Sequence, residues 1–106
     1  MVSETVDSRE KTMKQTYPFI HAVAATATSK LAVTVNPKRA ALMIFNNEAV
    51  NIVEVTSDEK SRYGQGIPVE PKACYENPEY CQGAYYVICD TGETADVRIE
   101  EDIAKE

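Results

Sequence analysis

The sequence has no tryptophan, a single histidine, four glycines and three cysteines in 106 residues. Each scarcity closes a class of function. With His21 alone, no histidine-rich metal site is expected, and His21 itself reads as structural or solvent-facing. A Ser–His–acid triad would need a nucleophile elbow, and no serine sits in one. Gly64-Gln65-Gly66 is followed by neither a helix nor a Lys-Ser/Thr pair, so it does not cradle phosphate. The apolar runs are all too short to span a bilayer as a helix, and the leading MVSETVDSREKTMKQT is polar, unlike a signal peptide. No basic run occurs, and the net charge of −6 with a pI near 4.8 argues against a nucleic-acid surface. No Asn-x-Ser/Thr acceptor is present. A chain made and kept in a cytoplasm, or assembled there into something larger, is expected, without membrane or nucleic-acid partners.

The odd cysteine count points the same way, since a disulfide framework in a secreted domain rarely leaves one thiol over. Cys74 and Cys81 flank one loop and have the option of pairing if oxidised, but reduced structural thiols are the simpler reading. Cys89, inside an apolar run, reads as a small buried hydrophobe. None shows the Cys-x-x-Cys spacing that zinc favours. The acids Asp90, Glu93 and Asp96 gather round a turn, a weak ion-binding signal without the full calcium-loop pattern. No cofactor, metal site or catalytic set is expected, and the chain reads as not an enzyme.

What the chain does have is strand pattern. Arg39–Val55 (RAALMIFNNEAVNIVEV) reads as two strands, Ala40–Phe45 and Val50–Val55, joined in a hairpin by the polar turn Asn46-Asn47-Glu48. The first is apolar on both faces, as in a strand covered on both sides. The second sends Val53 and Val55 one way and Ile52, Glu54 and Thr56 the other. Lys30–Val35 alternates Leu31, Val33 and Val35 with Ala32 and Thr34, and Asn36-Pro37-Lys38 ends it in a turn. The run from Ile20 to Ser29 is Ala-rich, yet Val23, Thr26 and Thr28 tilt it towards extended structure. Gly66–Glu70 is a short strand that Pro68 confines to an edge. Pro71–Gly83 reads as a long connection. Ala84–Asp90 and Ala95–Glu100 are strands separated by the turn Thr91-Gly92-Glu93, and Glu101–Glu106 reads as a fraying tail.

Six or seven short strands and no helix predict an all-β fold, an antiparallel β-sandwich or small jelly-roll-like barrel, with an extended N-terminal arm. Residues 1–16 form a flexible arm with almost nothing to bury, and 17–106 form a single domain. The arm's charged residues Glu4, Asp7, Arg9, Lys11 and Lys14 are candidates for ordering against a neighbouring subunit. Tyr75 and Tyr80, displayed on the long loop, are candidate contact anchors, because tyrosine is enriched at interfaces.

The order of motifs resembles a known family. Asn36 and Arg39 precede LMIFN at 42–46, followed by VNIVEV, GIPVEP at 66–71, GAYYVICDTG at 83–92 and ADVRIEE at 95–101. Together these are similar to the small β-sandwich structural proteins of tailed bacteriophages, over about residues 36–101. The resemblance implies a virion component rather than an enzyme. The role it implies first is a capsid decoration (cement) protein on the capsid surface, with the major capsid protein as partner, and head fibres are built on the same domain. It further implies a homo-oligomer, a trimer favoured. A tail, neck or receptor-binding module on the same fold is the alternative it leaves open.

Overall fold

The structure, a computed structural model, describes residues 16–105. Eight strands build it: β1 (Thr16–Ala25), β2 (Lys30–Val33), β3 (Arg39–Asn46), β4 (Val53–Thr56), β5 (Ile67–Val69), β6 (Cys74–Glu76), β7 (Tyr85–Ile88) and β8 (Ala95–Ala104). They form two four-stranded antiparallel sheets, ordered β1-β8-β3-β6 and β2-β7-β4-β5. The expected β-sandwich is what the chain adopts.

β8 is the spine of the longer sheet. Its side chains at Ala95, Val97, Ile99, Glu101 and Ile103 are buried while the residues between them are not, the period of two that one covered face requires. β1 runs beside it through ten consecutive antiparallel pairs from Thr16↔Ala104 to Ala25↔Ala95. On its other side β3 sets Leu42, Ile44 and Asn46 against Glu101, Ile99 and Val97. The shorter sheet supplies Val53 and Val55 from β4, Val69 from β5, and Tyr85 and Val87 from β7. Facing one another, these two sets of side chains form one contiguous core, joined by Cys89 and Cys81. The fully buried Ile99 and Val97 each contribute about 1.5–3 kcal/mol by leaving water.

Four expectations need correction. The Arg39–Val55 stretch is not a hairpin: β3 lies in the long sheet and β4 in the short one. The cause is Asn46, which is 1 % exposed and not a turn residue. Its side-chain amide donates to Asn51 O at 2.8 Å and Val69 O at 2.9 Å, and its Oδ1 accepts from Glu48 N at 3.0 Å. These bonds carry the chain across the sandwich instead of back along it. Second, Glu101–Glu106 does not fray from its start, because β8 runs on to Ala104 and is held on both sides, Ala104 N donating to Lys38 O at 2.8 Å. Third, the long connection 71–83 contains the strand β6, which pairs with Met43–Phe45 of β3. Fourth, in β2 the alternation breaks: Ala32 and Val33 are buried while Leu31 is exposed. A register shift between Leu31 and Val33 against β7 is the reason.

Of the Ile20–Ser29 run only Ile20–Ala25 is strand, Thr26–Ser29 forming the bend into β2, and β5 is an edge strand, as Pro68 requires. The turns at 36–38 and 91–93 are present, with Arg39 N bonded to Asn36 O and Glu93 N to Asp90 O. Gly92 takes a φ of 82° there, a conformation that L side chains adopt only at a cost.

Candidate functional site

One buried polar device joins the sheets, a second ties a loop to the short sheet, and a cleft opens beside the first. The first device is Arg39, 1 % exposed. Its Nε donates to Glu101 Oε1 at 2.9 Å and its Nη2 to Thr34 O at 2.7 Å. Its Nη1 donates to Cys81 O at 2.7 Å and Gly83 O at 3.1 Å. The guanidinium thus bonds at once to the spine of the long sheet and to the segments flanking β2 and β7 of the short one. Glu101 Oε2 in turn lies 3.0 Å from His21 Nε2 on β1. A buried charge is tolerated only when paired and bonded in this way. His21, read from sequence as structural or solvent-facing, is partly exposed and bonded to Glu101.

The second device is Glu54, 6 % exposed and opposite Ile88 on the outer side of the short sheet. Its Oε1 accepts from Gly64 N at 2.7 Å and Gly66 N at 3.0 Å, closing the 57–66 loop over the sheet. Gly66 must lack a side chain: a Cβ there would meet Val55 O at 2.9 Å and Glu54 Cβ at 3.1 Å.

The cleft lies between the sheets on the side where β5 and β6 are the edge strands, with a volume of about 620 Å³. Val55 and Tyr85 form its floor, and Tyr75 on β6 forms one wall. Ile67 and Tyr80, 52 % and 67 % exposed, stand at its lip beside Asn77, Glu79 and Gln82. The Tyr75 and Tyr85 rings are 5.8 Å apart and tilted by 60°, an arrangement that aromatic pairs favour. Tyr85 Oη donates to Tyr80 O at 2.9 Å, and Asn77 Nδ2 donates to Tyr75 Oη at 3.1 Å. Burial, followed by the neighbouring Tyr75 hydroxyl, pushes the Tyr85 phenol up to about 12, so it stays neutral.

Tyr75 and Tyr80, singled out from sequence as loop anchors, thus share one cleft; Tyr75 is half-buried on a strand and Tyr80 is exposed. Glu4, Asp7, Arg9, Lys11 and Lys14 lie outside the described residues, as does the rest of the expected arm up to Gln15. Thr16 already belongs to β1. The three cysteines are free, Cys74 exposed and Cys81 and Cys89 buried. Burial first, then nearby Glu93, raises the Cys89 thiol above its ordinary value, the reverse of what a reactive cysteine needs. Among the described residues no group of three or more His, Cys, Asp or Glu is placed to hold a metal ion.

A second surface stands out. On β1, Tyr17, Phe19 and His21 pair with Ile103, Glu101 and Ile99 and so share the core-facing side of the long sheet. Tyr17 and Phe19 are nevertheless 46 % and 53 % exposed, and Ile20 on the opposite side is 67 % exposed. No residue of β1 carries a formal charge apart from any on His21. Comparison with protein-family models, curated proteins and solved structures gives no match to this chain.

Proposed function

We propose that this chain is a structural docking protein of a virion, a capsid decoration protein that binds across boundaries of the major capsid protein as a homo-oligomer, trimers favoured. The observation that carries the reading is the leading half of β1, which is exposed among the described residues. It is an uncharged edge strand presenting Tyr17 and Phe19 on one side and Ile20 on the other. Long apolar edges are aggregation sites unless something covers them, and an assembly partner is the cover that turns the hazard into use. The resemblance of residues 36–101 to phage sandwich proteins supports a capsid shell as that partner. Binding energy available only at intact boundaries stabilises the assembled state over the open one, and several copies engaging together convert weak contacts into firm attachment.

Sedimentation with shells assembled from the major capsid protein of the same virus tests this. The wild-type chain is expected to co-sediment and to raise the temperature at which shells open. A Phe19→Lys/Ile20→Lys variant is expected to stay in the supernatant while keeping its own melting temperature. A wild-type chain that ignores shells, or a double variant that binds them equally well, overturns the reading. The display of Tyr80 at the cleft lip favours the tail or receptor-binding alternative. A Tyr80→Ala variant and the Phe19→Lys/Ile20→Lys variant separate the two, since decoration through β1 predicts lost shell binding only in the latter and receptor recognition predicts lost adsorption by otherwise unchanged virions only in the former.

A further inference from the structure

We infer that the cleft between β5 and β6 is a receptor for a cationic side chain, an arginine or lysine presented by a partner protein. Only the assignment of the cation to a partner protein rests on the docking role proposed above. Aromatic groups supply three sides: Tyr75, Tyr85 and the lip residue Tyr80. A ring face carries negative quadrupole potential and attracts a guanidinium or ammonium within about 6 Å. The 60° tilt between Tyr75 and Tyr85 means that they do not stack face to face, and Tyr80 is mostly bare.

Charge selects the same ligand. Glu79 is the one formally charged residue among those lining the cleft, which include no lysine or arginine. Arg39 lies behind Gly83, but all its bonds go to Glu101 and three backbone carbonyls, and it is closed off from solvent. The Tyr85 hydroxyl keeps its proton near neutral pH, so it adds no second charge. Gln82 at the mouth offers an amide oxygen to the ligand's N–H groups, while Asn77 Oδ1 accepts from Glu79 N and Tyr80 N and so fixes the lip. The volume of about 620 Å³ falls within the range of small-ligand pockets and holds an arginine side chain with its flanking backbone. A net charge of −6 draws basic partners towards the surface.

Titration of the full chain with N-acetyl-arginine amide, followed by amide chemical shifts, tests the inference. N-acetyl-citrulline amide, the neutral isostere, is the control. Saturable shifts are expected at Asn77, Glu79, Tyr80 and Gly83, with citrulline binding several-fold more weakly. High salt is expected to weaken binding, Glu79→Gln to weaken it roughly two- to five-fold, and Tyr80→Ala to weaken it with the fold intact. Equal responses to arginine and citrulline, or no saturable shift around the cleft, overturn the inference. The two proposals fail separately. Shell binding without arginine binding sinks the cation site alone, whereas arginine binding without shell binding sustains the site and sinks the virion reading.

Discussion

The two sheets have four strands each but very different lengths. In the long sheet β1 and β8 run ten residues, about 33 Å at strand rise. No strand of the short sheet exceeds four, or about 13 Å. Where the sheets overlap, Ile99, Val97, Val55 and Val87 are buried together in one core from which water is excluded. Where they do not, the same face of the long sheet carries Tyr17 and Phe19 into solvent. The length mismatch leaves an exposed apolar surface without any special side chain. It also explains the buried ion pair: Arg39 and Glu101 lie towards the end where apolar cover runs out, and Arg39 spans the layers by bonding to backbone on the far side.

Removing that bridge is expected to cost most. Arg39→Met leaves Glu101 and three carbonyls short of partners, and a loss of about 3–5 kcal/mol is expected, measured by urea denaturation. Ile99→Ala, in the overlapped region, is expected to cost about 2–5 kcal/mol by the same measurement. Glu54→Gln weakens the two amide bonds that close the 57–66 loop, for about 1–2 kcal/mol, with faster amide exchange at Gly64 and Gly66. Next comes the cleft in alkali. The folded Tyr85 holds its proton up to about 12 against an ordinary 10.0, so above pH 10 the folded state binds more protons than the unfolded one. Its contribution to stability is intact below pH 10 and is lost as the pH rises towards 12. Tyr85→Phe is expected to flatten that decline in melting temperature. The smallest effect belongs to the overhang: Phe19→Ala should change stability by no more than about 0.5 kcal/mol. A large loss there would mean that the two regions are not different after all.

Much of this fold is written in local pattern. Val97 and Ile99 against Asp96, Arg98 and Glu100, or Tyr85, Val87 and Cys89 on one face of β7 and the residue following it, follow from a period of two. The sites less so. Asn46 between apolar residues and another asparagine looks like a turn, and only its bonds to Asn51 and Val69 show a buried connector. Arg39 and Glu101 mark the borders of apolar runs, where charge ordinarily signals solvent, and their pairing joins residues 62 apart, beyond any local signal. Glu54 alternated correctly to the outer face, but a loop closes over that face. Tyr75 and Tyr80 stood out as candidates because tyrosines in a loop with two prolines are conspicuous. That they share a cleft depended on β6, a three-residue strand too short to carry a period of its own.

The place of β8 in the long sheet has a consequence for how the molecule comes to exist. Apart from the β3–β6 ladder, every pairing in that sheet is made by β8, the last strand described. On a growing chain, β1 has no strand partner and the Arg39 guanidinium no carboxylate until β2 to β7 have been made and β8 follows. Closure must wait for contacts of great sequence separation, which slow folding and leave the apolar β1 waiting in solution. The long sheet therefore closes only after all seven earlier strands exist, and β1, with its exposed apolar side chains, is the one that waits longest.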